Sequence, residues 1–449
     1  MQNSNQLGRP QWSSILSYLL VTTGAVVGLG NIFQFPQMVA KHGAMFILCY
    51  IVFELIVAVP ILLAEIFIGR RGKQNPVGAF SIVAMEANAS RYWRFTGWLC
   101  FIILVLTLSY YTVAVAFPLA YFAGLFSHFI HISNNQNILM LDQTLASTPI
   151  LLEIYFLFFV FITLLVIKKG INRGLENISR ITVPLFYLIF LGLAIYACKV
   201  GNGKAALTYL LDFHGGNLTQ ELLFDALIYA FFKLNIGMGC MMVYGSYLPF
   251  VASLTKSTLI IIVADIIASL LAFFILFPLA LAHSNVIPVA GFAYSAVQIT
   301  FQNIPHGLLL AMLFFFATTL AAWMPSIAIM ESATLTLIER FNISRPKATY
   351  IISAITVLLG TAVVLSYNVW ANIVIISHWT IHNIIQDLTT NILTPCAALL
   401  ITLFAGFIMS KKTTFNELGL SPKIYSIWSI LIKFVAPLCI IVLLASKLL

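Results

Sequence analysis

Residues 16–36 form an apolar stretch long enough to cross a bilayer as one helix, yet Gly24, Gly28, Gly30, Asn31 and Pro36 interrupt it near its middle. Unpaired backbone N–H and C=O groups cost several kcal/mol each in hydrocarbon, so non-helical backbone at that depth survives only where protein or a water-filled cavity satisfies it. The interruption therefore points to a binding site. The other reading is a kinked or closely packed helix, because Gly24 and Gly28 also have the small-xxx-small spacing that packs membrane helices.

The solvent follows from composition: 61% of the 449 residues are hydrophobic and only 8% charged, which implies a polytopic membrane protein. No cleavable signal is expected, since the short polar start runs through Arg9 and Trp12 into a segment too long for a signal core. Cys49, Cys100, Cys198, Cys240, Cys396 and Cys439 fall in apolar runs without CxxC or metal-type spacing and read as small buried hydrophobes.

Hydropathy over windows of roughly 20 residues predicts eleven helices. They start near residues 12, 43, 94, 149, 177, 221, 255, 303, 347, 372 and 424. Arg9, Arg70, Arg71, Lys73, Arg91, Arg94, Lys168, Lys169, Arg173 and Arg180 then fall on one side, joined by Lys256, Arg340, Arg345, Lys347, Lys411, Lys412 and Lys423. The opposite loops, residues 128–148 and 284–302, contain no Lys or Arg. The positive-inside rule places the N-terminus in the cytoplasm and, with an odd number of spans, the C-terminus outside.

The sixth span, residues 224–239, repeats the anomaly of the first: Gly237 and Gly239 interrupt it, with polar Lys233 and Asn235 just before them. Interrupted spans at positions one and six imply two five-helix halves in a single transmembrane domain, residues 1–449. The repeats run over about 12–200 and about 221–410, with an extra helix at about 424–447. In such a fold the half-helix ends meet at the midplane, where N-terminal N–H groups receive an anionic group and C-terminal carbonyls a cation.

Residues 28–36 (GLGNIFQFP) and 59–70 (VPILLAEIFIGR) resemble the first- and second-helix signatures of the neurotransmitter:sodium symporter family, whose bacterial leucine transporter defines the LeuT-like fold. Tyr110-Tyr111, residues 244–247 (YGSY) and residues 326–330 (SIAIM) extend the resemblance to the full length. It implies an all-α membrane transporter working by alternating access on an amino acid or related small amine, located in the cell (inner) membrane. The substrate carboxylate is expected at Gly28 and at the backbone N–H groups of Leu29 and Gly30, with the Tyr111 hydroxyl; its ammonium is expected at the carbonyls of Val26 and Phe232. Asn235, Met238 and Ile329 are expected to shape the side-chain pocket. The same resemblance implies a cytoplasmic gate of Arg9, Ser246, Tyr247 and Glu339.

The chain departs from the family at both sodium sites. At the first, Asn31 and the Val26 carbonyl remain and Asp265 stands where an amide or carboxylate ligand is expected, but the expected threonine is Lys233. An ammonium supplies a positive charge without an ion, and Asp265 is its natural partner, because a lone charge at mid-membrane usually pairs. The alternatives are a Lys233 that points to the vestibule or meets the substrate carboxylate. At the second site Gly24, Val27 and Ala321 still offer carbonyls, but the two expected hydroxyls are Met324 and Pro325, so sodium affinity there is expected to be weak or absent.

At the outer gate Gln34 replaces an arginine and Gln386 an aspartate, giving an expected amide pair with Asp387 as an alternative partner. Ala25 stands where a substrate-facing polar residue is common. Glu54 and Glu65 are expected on one face of the second span, eleven residues being close to three turns. Glu65 is expected to fix the first helix internally, and Glu54 is either a proton carrier or a neutral hydrogen-bonded acid. Glu331 and Lys433 receive no role.

The driving ion stays open: sodium by resemblance, or proton coupling or ion-independent exchange with Lys233 in the cation role. A transporter-like ligand sensor is a further alternative. No cofactor is implied beyond sodium, no nucleotide motif, metal cluster or nucleophile marks an enzyme, and no nucleic-acid partner is expected. The expected partners are a small-molecule substrate and the lipid bilayer, with the chain a monomer or homodimer.

Overall fold

The computed structural model describes residues 10–131, 148–213, 218–283, 304–373 and 379–448, together with Tyr294, Val297, Thr300 and Phe301. The first half of the chain forms α1 (Ile15–Val26), α2 (Phe35–His42), α3 (Ala44–Phe53), α4 (Val59–Gly72), α5 (Pro76–Glu86), α6 (Arg94–His131), α7 (Pro149–Lys168), α8 (Asn177–Val200) and α9 (Gly203–Leu211). The second half forms α10 (Gln220–Lys233), α11 (Cys240–Ser246), α12 (Leu254–His283), α13 (Gly307–Phe341), α14 (Arg345–Ser366), α15 (Ile381–Asp387), α16 (Thr394–Leu403), α17 (Lys411–Leu418), α18 (Pro422–Ile430) and α19 (Ala436–Leu448).

Among the described residues, nine helical runs are long and apolar enough to cross a membrane, and α1 with the segment Gly30–His42 forms a tenth, bent by 59°. The pair α10 and α11 is shorter on each side of its break, and a count of eleven requires taking it as one further span. The tenth expected helix starts at Ile381 rather than near residue 372, because the Thr380 side chain caps it by accepting from the Asn383 amide.

α13 packs along α6, and α1 lies against α8, α12 and α13, so the first break is enclosed by protein. α10 packs on α3 and α11 on α4, which encloses the second break in the same way. Helix ends that carry charge are tied down. Arg70 is buried and donates from Nε to Glu417 Oε2 at 2.9 Å and from Nη1 to the Ala252 carbonyl at 2.8 Å.

The two breaks have different local causes. α1 ends where the Val27 amide donates to the Thr23 carbonyl at 2.9 Å and Val27 turns extended; the chain then re-enters through a π turn, Gly30–Gln34. α10 ends at Lys233, after which Asn235, Gly237 and Gly239 take φ of +52°, +83° and +80°. This left-handed region admits glycine freely and asparagine at modest cost. At Gly237 space adds to the constraint, since a Cβ would stand 2.7 Å from the Thr394 carbonyl oxygen.

Candidate functional site: two helix breaks and a buried ion pair

At the first break the Tyr111 hydroxyl faces the Leu29 amide. A Cβ on Gly28 would lie 2.9 Å from that hydroxyl oxygen, so the glycine is what lets it approach. The Gly28 amide donates to Asn31 Oδ1 at 3.1 Å, and the Asn31 amide donates to the Gly28 carbonyl at 3.2 Å. Across the breaks, Asn235 Nδ2 donates to the Ala25 carbonyl at 2.7 Å and stitches the two interruptions together. Val26, Met238 and Ile329 are buried and Phe232 half-buried in the same core.

The Lys233 ammonium lies 2.6 Å from Asp265 Oδ2, with both side chains almost fully buried. It also donates to the Tyr50 hydroxyl and sits 4.4, 5.4 and 6.0 Å from the ring centroids of Tyr50, Tyr229 and Phe35. Asn31 is drawn into the same cluster: its Nδ2 donates to Asp265 Oδ1 at 2.7 Å, the Asp265 carbonyl at 3.1 Å and Ser269 Oγ at 3.0 Å. With its oxygen taken by Gly28 and its nitrogen by Asp265 and Ser269, the Asn31 side chain is committed to protein.

The second cation position is filled differently. Gly24, Val27, Thr182, Val183, Phe186, Tyr187, Leu320, Ala321 and Met324 line a void of about 10 Å³. A Cβ on Gly24 would come within 2.9 Å of Met324 Cε, and the Thr182 hydroxyl donates to Met324 Sδ at 3.2 Å. Pro325 lacks the N–H that would pair with the Ala321 carbonyl four residues earlier, so that carbonyl has no helical donor. A thioether stands beside it, however, and soft sulfur is a poor ligand for sodium.

Three expectations change. Glu65 does not brace the first helix: its Oε1 accepts from the Gly237 amide, with the Gly239 amide beside it, on the sixth segment. The reason is the break itself: Gly237 and the N-cap Gly239 lie in left-handed, non-helical backbone between α10 and α11, and their amides face a buried carboxylate. Nor do Glu54 and Glu65 share a face, because the π turn Glu54–Ala58 adds a residue to that turn and rotates Glu54 towards Lys233. Gln34 and Gln386 share no hydrogen bond: Gln34 is exposed and Gln386 half-exposed. The Asp387 carboxylate instead accepts from Asn391 Nδ2 at 3.1 Å.

At the cytoplasmic end of the expected topology, Trp12 Nε1 donates to the Tyr244 carbonyl at 3.0 Å, and its ring meets Tyr244 and Tyr247 edge-on at 5.4 and 5.7 Å. The Tyr247 hydroxyl donates to Glu331 Oε1 at 3.2 Å, and Arg345 donates to both Glu331 oxygens at 2.6 and 3.0 Å. Glu331, without a role in the sequence, is thus the buried centre of this closure. Glu339 Oε2 accepts from the Asn75 amide and Nδ2 at 2.6 and 2.9 Å, and Ser246 Oγ donates to the Val243 carbonyl. Arg9 lies outside the described residues. Tyr50, Tyr229 and Ser269 receive no role from the sequence, and Arg345 enters only as a charge for topology. The first three sit four residues from Glu54, Lys233 and Asp265, a helical-neighbour spacing that could have found them.

Paired helix breaks in a bundle that is helical throughout the described membrane spans, with charged groups buried beside them, are the arrangement in which membrane transporters bind their substrates. The chain belongs to the sodium:neurotransmitter symporter family, which it matches over residues 9–138 and 135–449. It is 28% identical to the uncharacterized sodium-dependent transporter YhdH of Bacillus subtilis (strain 168), over 96% of either chain. It is also 28% identical to an uncharacterized sodium-dependent transporter of Haemophilus influenzae, over 99% of either chain. A shorter match, 29% over 26% of this chain and 16% of the other, is to the sodium-dependent neutral amino acid transporter B(0)AT2 of Bos taurus. Its fold matches the crystal structure of MhsT in complex with L-phenylalanine at a TM-score of 0.87 and 26% identity, covering 98% of this chain and 100% of that one.

Proposed function

We propose that the protein is a secondary active transporter of an amino acid or related small amine, working by alternating access around its two helix breaks, with the Lys233 ammonium in place of the first sodium ion. The observation that carries this reading is the buried Lys233–Asp265 pair at 2.6 Å, formed where the family places a cation. The second site supports it, because Met324 occupies the position with a thioether. Proton coupling or ion-independent exchange then replaces the sodium coupling named for the relatives.

The substrate carboxylate meets the Leu29 and Gly30 amides and Tyr111, and its ammonium meets the carbonyls of Val26 and Phe232. Asn235, Met238 and Ile329 bound the side-chain space. Support comes from the Tyr111 hydroxyl at the Leu29 amide, and from the amino acids named for MhsT and B(0)AT2. The reading includes eleven spans, two inverted five-helix halves, an inner-membrane location and a cytoplasmic N-terminus. Lys41, a base at the opposite end, is neutralised there by Glu221 and Asp225, each at 2.7 Å, in keeping with that orientation.

A thermal-shift screen of the twenty amino acids and common amines, with sodium, potassium or choline as the cation, tests it. A bound ligand stabilises by RT ln(1 + [L]/Kd), so a hit that is equal in all three salts is the expected result. A strict sodium requirement for every hit removes the lysine from the cation role.

A further inference from the structure

Three ionisable side chains share the buried space beneath the first break: Lys233, Asp265 and Glu54. Glu54 opens the π turn Glu54–Ala58 and is 1% exposed; its carboxyl lies beside the Tyr50 hydroxyl and in the electrostatic field of both Lys233 and Asp265. Tyr50 stands one turn earlier on the same helix and touches the Lys233 ammonium. One ammonium therefore serves a region with two carboxyls: it is paired with Asp265, while both Glu54 oxygens are buried without a hydrogen-bond partner among the described residues.

With both acids ionised the cluster carries a net negative charge at membrane depth, and burial strongly disfavours such a charge. Neutrality requires one proton. Asp265 is the acid that keeps the ammonium, because it receives Lys233 at 2.6 Å on one oxygen and Asn31 Nδ2 at 2.7 Å on the other. Donors of this kind favour the ionised form, which leaves the proton to Glu54.

The neighbouring elements supply no second cation to Glu54 among the described residues. On α10, Tyr229 packs beside Tyr50 at 5.1 Å, while Glu221 and Asp225 are engaged with Lys41. Glu65 on α4 holds the Gly237 amide. Lys433, on the π turn Leu431–Val435 that packs on the same region, places its ammonium over the Phe407 ring, 5.8 Å from its centroid. Arg70 and Arg71, at the far end of α4, are paired with Glu417 and Glu86, and Cys49 on α3 and Cys439 on α19 carry no positive charge.

We infer that Glu54 is a proton-binding site that shares the Lys233 ammonium with Asp265. While the pair is closed and dry, Glu54 holds one proton. When water reaches the cluster, the Glu54 O–H bond breaks, the proton passes to water, and the new carboxylate takes a share of the ammonium. Alternating access then carries a proton through the same movement that carries the substrate. This deepens the proposed function and rests on Lys233 standing in for a cation.

Infrared spectroscopy of the purified full-length protein in sodium-free buffer tests it. The native protein shows at neutral pH a protonated-carboxyl band that E54Q lacks and that fades as the buffer is made alkaline. D265N loses the same band although Glu54 is intact, because the ammonium then has a single acid to pair with. A band lost in D265N but kept in E54Q assigns the proton to Asp265 and overturns the Glu54 site; if E54Q does not fold, E54D, which keeps a carboxyl there, decides by whether the band shifts in frequency. A native-strength band persisting in both E54Q and D265N overturns the Glu54 site while leaving Lys233 in its role. A strict sodium requirement for the L-phenylalanine thermal shift of the native protein overturns the Lys233 reading instead, whatever the infrared band does.

Discussion

The two positions at which the resemblance expects cations are built here from opposite chemistries. At the first, charge is kept: Lys233 brings a tethered cation to Asp265, with Asn31 donating to Asp265 and the Tyr50 hydroxyl accepting from Lys233. At the second, charge is given up: Met324 fills the space against Gly24 and leaves a void of about 10 Å³, close to the smallest that holds one water. A tethered ion keeps the electrostatics of a site but makes it permanently dependent on its partner. A packed side chain removes that dependence, and its stability contribution becomes one of volume.

Breaking the ionic half of this comparison has the largest expected effect. Lys233→Met strands Asp265 and is expected to cost about 3–5 kcal/mol of stability. Adding Asp265→Asn recovers most of that loss, and unfolding of single and double variants in detergent measures the coupling. Equal losses in the single and double variants would mean the two residues are not a pair. On the apolar side, Met324→Ala is expected to cost about 2–5 kcal/mol through the cavity it leaves. Met324→Leu, which nearly conserves volume, costs less than about 1.5 kcal/mol. If Met324→Ala is neutral by the same assay, the thioether is not what closes the site.

Smaller effects sharpen the contrast at the breaks themselves. Glu65→Leu leaves the Gly237 amide buried without an acceptor, at about 1–3 kcal/mol. Amide hydrogen exchange in the sixth segment should rise while the first segment stays protected. Asn235→Ala removes the bond to the Ala25 carbonyl and costs about 0.5–1.5 kcal/mol. Its expected signature is faster exchange at both breaks together, and a change at one alone would show that Asn235 does not link them.

The fold was largely legible because its signals are local. Glycines and polar residues inside two apolar runs mark backbone that no single helix can satisfy, and the bend of 59° after Val26 falls where they stand. Lys233 and Asp265 were legible as partners because membrane burial leaves a lone charge few other options. Glu65 was misread because its acceptor role depends on which buried amides happen to face it. The phase of Glu54 was misread because a π turn inserts a residue without any mark in the sequence. Glu331 was passed over since its partner Arg345 begins the next helix and is brought back to it only by the packing of α14 on α13.

By itself the sequence determined the solvent, the two interruptions and a mid-membrane lysine in need of a partner, all consequences of burying particular side chains in hydrocarbon. Only the tertiary structure decided which amides Glu65 holds, which way Glu54 faces, how Met324 fills its site and that Asn31 joins Gly28 to Asp265. Those outcomes depend on distances between segments far apart in the chain, such as the 234 residues between Asn31 and Asp265. Short-range forces act only after packing has brought such groups together.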